Sequence, residues 1–215
     1  MDETVGIVAR EAGKSFGQQI FIVDDDDAQR DSLVWLLESH GHVVRAFSGA
    51  RDFLAVWNGN PAGCLLLDVR MPGMSGPELF EELTRRCSAL PVIFITGHGD
   101  VAMAVTALKK GAADFIEKPF SSDEVLKIVN HCLTRESEER AHRCARADTA
   151  RRLGQLTRRE RQVLDLIIAG KLNKQIAGDL DISIKTVEVH RARVMEKMGV
   201  SSLASLIRRI VSARL

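Results

Sequence analysis

Five short apolar runs constrain the fold more strongly than any other feature of the sequence. Each run is almost continuously apolar instead of alternating, and segments with helical spacing lie between them. Such runs are typical of strands buried on both faces of a parallel sheet. The runs are IFIV (20–23), HVVRAF (42–47), CLLLD (64–68), PVIFIT (91–96) and DFIEK (114–118). The pattern predicts an α/β domain, a doubly wound five-stranded parallel sheet with helices on both faces.

Polar residues stand at the ends of four of these runs, where ligands bind in such folds. Three carboxylates that meet at one edge require a cation, and hard oxygen ligands favour Mg²⁺. The following two aspartates, Asp26 and Asp27, are predicted to open the next helix, because acidic side chains suit the positive end of its dipole. The residues at the predicted edge are Asp24, Asp25, Asp68, Thr96 and Lys118.

This edge has the chemistry for phosphoryl transfer. A carboxylate beside Mg²⁺ and a lysine can attack phosphorus and form an aspartyl-phosphate. The metal and the ammonium group stabilise the phosphoryl oxygens during transfer. Each residue also has a simpler interpretation, since a strand-end aspartate often caps a helix and Thr96 can merely end its strand.

Four segments, VDDD, LLLDVRMPGMSG, ITGHGD and DFIEKPF, resemble the receiver domain of bacterial response regulators, in the FixJ subgroup. The resemblance covers about residues 18–122. It implies that Asp68 is the phospho-acceptor and that Thr96 and Lys118 contact the phosphoryl group.

The same resemblance implies a metal set and a switch residue. Phe115 occupies the aromatic switch position of the family, although by itself it is most simply a core residue. The implied Mg²⁺ ligands are Asp25, Asp24 through a water, Asp68 and the backbone carbonyl of Arg70.

The two halves of the chain differ in charge. Residues 18–120 hold 9 Lys and Arg against 14 Asp and Glu, a net charge of −5. Residues 156–215 hold 12 against 6, a net charge of +6. This asymmetry predicts two domains, of which the basic one faces nucleic acid.

The basic half has the pattern of four short helices. Thr157 and Glu160 form a capping box for the first of them, and Gly170 closes it. Two helices joined by the three-residue turn DIS (181–183) predict a helix-turn-helix, whose second helix enters the major groove. The other predicted helix starts are Asn173, as the cap of KQIAGDL, and Ser201.

The second helix of this motif, IKTVEVHRARVMEKM (184–198), divides into two faces. Glu188 has two interpretations: it accepts a hydrogen bond from a cytosine amino group, or it pairs with Arg191 or Arg193. The residues predicted to face the core are Ile184, Val187, Val194 and Met198. Those predicted to face outward are Lys185, Glu188, Val189, Arg191, Ala192 and Arg193.

The segments LTRRERQVL, NKQIAGDLDIS and KTVEVHRARVMEKMGV resemble the LuxR/NarL-type output domain, over about residues 156–212. The resemblance implies that Glu188, Val189 and Ala192 face bases. It places Lys185, His190 and Arg191 near the DNA backbone. Because relatives often carry lysine where this chain has Glu188 and Ala192, its preferred DNA sequence is expected to differ.

The predicted organisation is an N-terminal extension (1–17), a receiver domain (18–122), a helical linker (123–155) and a DNA-binding domain (156–215). From Thr134 to Arg152 the linker lacks Pro and Gly and has almost no large apolar residue, so this segment forms either a solvated helix or a flexible tether. We favour a final receiver helix that continues into it. The extension is expected to be disordered.

Several surfaces and cysteines have less specific interpretations. The cysteines lack a CxxC spacing, which is typical of reduced cytosolic thiols, and no cationic leader or membrane span is predicted. The apolar residues that either pair two copies or fill the core are Val101, Met103 and Val105 in one helix, and Leu203, Leu206 and Ile210 in another. The candidate metal ligands without a standard spacing are His131, Cys132, His142 and Cys144.

Together these features predict a cytoplasmic transcriptional regulator of a two-component system and not an enzyme. A sensor histidine kinase is expected to phosphorylate Asp68, which promotes dimerisation, binding to promoter DNA and activation of transcription by RNA polymerase. Two alternatives stay open. One is a Mg²⁺-dependent phosphatase that turns over an aspartyl-phosphate, and the other is a constitutive DNA-binding protein whose receiver only holds a dimer.

Overall fold

The computed structural model describes residues 17–57, 59, 61–97 and 101–214. The chain divides into two compact units, Met1–Glu138 and Glu139–Leu215. The expectation of a disordered extension falls on residues that, apart from Gly17, lie outside the described ones. In the described part no helix is both long enough and apolar enough to cross a membrane.

The first unit contains the predicted α/β fold. Its five strands form a parallel sheet in the order β2-β1-β3-β4-β5, and helices separate them along the chain. The strands are β1 (Gln19–Val23), β2 (Val43–Phe47), β3 (Gly63–Asp68), β4 (Val92–Thr96) and β5 (Asp114–Glu117). The helices are α1 (Asp27–Ser39), α2 (Ala50–Val56), α3 (Gly76–Arg85), α4 (Val101–Lys109) and α5 (Ser122–Gly154).

The near-continuous apolar runs are explained by two cores, one on each face of the sheet. Successive residues of a strand point to opposite faces. In β3, Leu65 and Leu67 pack with Phe53 of α2, whereas Leu66 packs with Leu37 of α1 on the other face. Because both faces are covered, β3 and β4 are buried along their whole lengths.

Aromatic residues are concentrated in the first unit. Phe53 packs against Trp57 with tilted ring planes at a centroid separation of 5.4 Å and contacts Phe21 edge-on at 5.8 Å. The second tryptophan, Trp35 of α1, is exposed. The sheet therefore carries an aromatic cluster on the side of α2 and α3.

The main chain at the start of α3 is in close contact with the main chain at the end of β3. The N–H of Gly76 donates to the carbonyl of Val69 at 3.1 Å. A Cβ atom at Gly76 would lie 2.2 Å from the backbone oxygen of Asp68. Only glycine leaves room for this contact, which holds the main chain of Asp68 in place.

The second unit contains the predicted short helices, α6 (Arg158–Ile168), α7 (Asn173–Leu180), α8 (Ile184–Met198) and α9 (Leu203–Arg214), together with the last turns of α5. The capping box of Thr157 and Glu160 is present, and Gly170 follows α6 with a φ of 77°. Val163, Val187 and Leu206 belong to one shared core.

Two predicted helix starts were wrong. Leu172, not Asn173, is the N-cap of α7, because the side chain of Gln175 accepts from the Leu172 N–H at 2.9 Å. In α9 the hydroxyl of Ser202, not Ser201, accepts from the N–H of Ser205 at 3.2 Å. In each case a neighbouring residue supplies the capping geometry.

Candidate functional site

The strand ends bring two of the predicted carboxylates together beside a lysine. Asp24 directly follows β1 and is fully buried, and Asp68 ends β3 and is 5% exposed. Lys118, which follows β5, places its Nζ 2.5 Å from Oδ1 of Asp68 and 3.9 Å from Oδ2 of Asp24. One ammonium group therefore faces two carboxylates.

Each carboxylate is held by further donors. The backbone N–H of Arg70 donates to Oδ2 of Asp68 at 2.7 Å, so both oxygens of Asp68 accept a hydrogen bond. The N–H of Asp26 donates to Oδ1 of Asp24 at 2.9 Å, and Nε2 of Gln29 donates to its Oδ2. Gln29 was not predicted as a site residue, because its place in the first turn of the helix after β1 is the only sign of this role in the sequence.

Burial raises the pKa of Asp24, and the nearby charge of Asp68 raises it further, against the hydrogen bond from Asp26 and the charge of Lys118. The cause is that a buried carboxylate loses hydration and that its neighbour has the same charge. The carboxylate oxygens of Asp24 and Asp68 carry negative charge that is not fully balanced, and such oxygen ligands suit a hard cation such as Mg²⁺. Among the described residues, no three acidic, His or Cys side chains are already gathered around one point.

Asp25 and Thr96 occupy different environments at this edge. The side chain of Asp25 is exposed. Thr96 ends β4 and is fully buried, and its hydroxyl donates a long hydrogen bond of 3.3 Å to the carbonyl of Gly97. The carbonyl of Thr96 accepts from the N–H of Lys118 at 2.8 Å, which ties these two residues together.

Phe115 lies on β5, half-buried against the core formed with α2, α3 and α4. Asp26 and Asp27 open α1 as predicted. Oδ1 of Asp26 accepts from the N–H groups of Ala28 and Gln29, at 2.9 and 3.1 Å, and Asp27 is the first helical residue.

Helix α8 presents an exposed polar surface. Three of the residues predicted for its core, Val187, Val194 and Met198, are buried, whereas Ile184 is 46% exposed and the prediction for it was wrong. Ile184 is the first helical residue and follows the Ser183 cap, so it lies at the edge of the core. The residues fully on the exposed side are Lys185, Glu188, Val189, Ala192 and Arg193.

Three details of this helix refine the sequence interpretation. His190 and Arg191 are partly buried. The Nδ1 atom of His190 is buried and has no hydrogen-bond partner among the described residues. In the described part of the chain, no ion pair joins Glu188 to Arg191 or Arg193, and the side chain of Glu188 is exposed.

The other candidate features give a mixed result. Leu206 and Ile210 fill the core of the second unit, whereas Leu203 is exposed. Met103 and Val105 of α4 are exposed, and the side chain of Val101 lies outside those described. Within the described residues no His and Cys cluster forms a metal site, so the set of His131, Cys132, His142 and Cys144 is not brought together.

Each of the two units matches a known protein family. The family described as the response regulator receiver domain matches residues 20–130. The family described as bacterial regulatory proteins, luxR family, matches residues 154–210.

Individual relatives align over most of the chain. The transcriptional regulatory protein FixJ of Azorhizobium caulinodans is 48% identical, over 88% of this chain and 90% of its own. The C4-dicarboxylate transport transcriptional regulatory protein DctR of Rhodobacter capsulatus is 46% identical, over 88% of this chain and 97% of its own. The solved structure of the response regulator StyR has a TM-score of 0.83 at 44% identity and covers 90% of this chain and 98% of its own.

Proposed function

Because the chain belongs to the response regulators and joins a receiver domain to a luxR-family domain, we propose that phosphorylation of Asp68 controls its binding to promoter DNA. It is a transcriptional regulator of a two-component system and not an enzyme. Its receiver domain implies a histidine kinase as partner, and its luxR-type domain implies binding to DNA. The geometry of the site supports Asp68 as the phospho-acceptor.

One observation carries this choice: Lys118 Nζ lies 2.5 Å from Oδ1 of Asp68, and the Arg70 N–H holds Oδ2. Asp68 is thus oriented at the open carboxyl end of the sheet by one charged donor and one fixed backbone donor. In the transfer, a bond forms between an Asp68 oxygen and phosphorus, and the bond from phosphorus to the nitrogen of the kinase histidine breaks. Lys118 then pairs with a phosphoryl oxygen.

Thr96 and Phe115 are proposed to respond to the new group. The hydroxyl of Thr96 donates a long hydrogen bond to the carbonyl of Gly97, and a phosphoryl oxygen would be a stronger acceptor. Movement of Thr96 leaves space near β5, where Phe115 is half-buried and can change rotamer. Phosphorylation therefore shifts an existing equilibrium between two receiver conformations.

The donors at this edge fit Mg²⁺, because Asp24 and Asp68 together carry more negative charge than Lys118 balances. When bound, the ion would offset the negative charge of the phosphoryl oxygens. Its proposed ligands are Asp24, Asp25, Asp68 and the backbone carbonyl of Arg70.

The DNA contacts are proposed for the exposed side of α8. Lys185 and Arg191 supply positive charge for phosphates, and His190 can donate from Nε2. Glu188, Val189 and Ala192 are proposed to face base edges, and the exposed carboxylate of Glu188 suits the amino group of cytosine.

The consequence of phosphorylation is proposed to be dimerisation and activation. Exposed Met103 and Val105 of α4 would pair two receivers, and exposed Leu203 of α9 would pair two output domains. The active dimer binds paired half-sites in the cytoplasm and recruits RNA polymerase.

The test is incubation of the full chain with acetyl phosphate and Mg²⁺, followed by intact mass measurement and DNA-binding titration. We expect one acid-stable, base-labile phosphoryl adduct on the wild type and on Asp123→Asn, a surface control, and none on Asp68→Asn. An adduct that persists in Asp68→Asn would refute the assignment. An adduct that forms but leaves DNA affinity unchanged would favour a constitutive DNA-binding protein.

A further inference from the structure

The C-terminal end of α8 is held by side chains that the proposed DNA contacts do not use. The last carbonyls of a helix have no partner within it and need donors from elsewhere. Nη1 of Arg152, in the last turn of α5, donates to the carbonyl of Lys197 at 3.2 Å. Nη1 of Arg209, in α9, donates to the carbonyl of Met198 at 2.6 Å. Two guanidinium groups therefore cap consecutive carbonyls at the negative end of the α8 dipole.

Asp148 holds both guanidinium groups. Its Oδ2 accepts from Nε of Arg152 at 2.8 Å and lies 3.4 Å from Nη1 of Arg209. The hydrogen bonds from Arg152 and then Arg151 lower the pKa of Asp148 to about 2, so this carboxylate is ionised at neutral pH. We call Asp148, Arg152 and Arg209 the carbonyl clamp.

Gly199 provides separate support for the clamp. It follows α8 with a φ of 62°, and a Cβ atom at this position would lie 2.6 Å from Nη1 of Arg152. A side chain here would displace the guanidinium group from the Lys197 carbonyl. The residue after α8 therefore both turns the chain and leaves room for Arg152.

We infer that the carbonyl clamp positions α8 for base reading, so that its three residues act on DNA specificity without touching DNA. The inference rests on the proposed function, because it requires α8 to be the helix that contacts bases. The exposed residues Lys185, Glu188 and Val189 lie in the first half of α8, and the clamp holds the opposite end. A small tilt at the clamped end displaces their side chains from base edges, whereas phosphate contacts tolerate it better because they are longer-ranged.

The residues that determine DNA recognition therefore include two from α5. Asp148 and Arg152 precede the luxR-family match, which begins at residue 154. They nevertheless belong to the same compact unit as α8. Residues of the linker helix thus form part of the recognition apparatus.

The experiment compares Arg152→Met with Arg151→Met in the full chain treated with acetyl phosphate and Mg²⁺. Arg151 is a matched control, because its Nη2 also bonds Asp148, at 2.6 Å, but among the described residues its 64% exposed side chain forms no bond to α8. The probes are a duplex selected from a random pool by the wild-type protein and an unselected duplex. Each is titrated at several salt concentrations, and thermal unfolding is recorded in parallel.

We expect Arg152→Met to weaken binding to the selected duplex about tenfold, the cost of roughly one misread base pair. Binding to the unselected duplex and its salt dependence should stay unchanged, and Arg151→Met should match the wild type. Asp148→Asn, which keeps the side-chain volume, should reproduce the loss if Arg152→Met folds poorly.

Two results would overturn the inference while leaving the proposed function intact. One is equal weakening on both duplexes, which indicates a purely structural role. The other is identical behaviour of Arg152→Met and Arg151→Met. If the wild-type protein selects no duplex at all, the proposed function itself is refuted, and the inference with it.

Discussion

Asp24 in the receiver and Glu160 in the C-terminal unit are both buried carboxylates near a lysine, yet their pKa values shift in opposite directions. Burial and the charge of Asp68 raise the pKa of Asp24. The hydrogen bond from Lys197, whose Nζ lies 2.6 Å from Oε2 of Glu160, lowers the pKa of Glu160 to about 2. Neither side chain is accessible to solvent, but burial is the largest cause of the pKa shift only at Asp24, whereas at Glu160 the hydrogen bond from Lys197 outweighs it.

The difference separates a binding site from a structural pair. Lys118 bonds Asp68 and is 3.9 Å from Asp24, so one positive charge serves two negative ones. Lys197 Nζ donates to Glu160 and to the uncharged carbonyl of Gln155, at 3.2 Å, and Glu160 also accepts from the Thr157 N–H at 2.8 Å. The balanced pair of Glu160 and Lys197 joins α6 to α8. The two carboxylates that share Lys118 keep a net negative charge, which attracts a positively charged ligand.

Of the substitutions that test this difference, Lys197→Met is expected to change stability most. It leaves the 2% exposed carboxylate of Glu160 without its cation, which should destabilise the C-terminal unit by about 2 kcal/mol. Amide hydrogen exchange in α6 and α8 measures the loss. The control is Lys171→Met, which breaks a surface pair with Asp179 and should cost less than about 0.5 kcal/mol. Equal losses in the two variants would show that Glu160 needs no partner.

Asp24→Asn tests the unbalanced side. It removes one of two repelling carboxylates, so in the absence of Mg²⁺ the receiver should become more stable by about 1 kcal/mol. Added Mg²⁺ should raise the thermal midpoint of the wild type and of Asp31→Asn, an exposed control, but not that of Asp24→Asn. A destabilised Asp24→Asn that still responds to Mg²⁺ would contradict the charge imbalance.

The smallest expected effect is the pH dependence, which should have opposite signs in the two units. The pKa of Glu160 is lowered on folding, so its contribution is present above the ordinary value of about 4.3 and is lost as the pH falls towards about 2. The pKa of Asp24 is raised, so receiver stability should fall as the pH rises from about 4 through the raised value. Exchange measured in each unit between pH 3 and pH 7 checks both, with Glu160→Gln and Asp24→Asn expected to flatten the respective profiles.

The sheet and most of the site could be predicted from the sequence because they follow from local pattern. Continuous apolar runs occur where both strand faces are covered, and the carboxyl ends of parallel strands share one edge. This logic placed Asp24, Asp68, Thr96 and Lys118 at one edge without knowledge of any distance.

The features that could not be predicted from the sequence depend on which residues become neighbours in the folded protein. Gln29 bonds Asp24 only because the turn after β1 brings them together. Ile184 resembles a core residue in its helical spacing, but the helix begins there and the core does not extend to it. For Leu206 and Ile210 the sequence left both pairing and core packing open, and their burial decides for the core. The carbonyl clamp joins residues of α5, α8 and α9 that no local motif connects.

The aromatic cluster around Phe53 has a practical consequence. The chain has two tryptophans and no tyrosine, and both tryptophans, Trp35 and Trp57, lie in the receiver. Trp57 packs against Phe53 in the same core that holds Phe115, whereas Trp35 is largely in solvent. Intrinsic fluorescence of the intact protein therefore reports on the receiver alone. Emission excited at the indole band separates receiver events from DNA-domain events without any label.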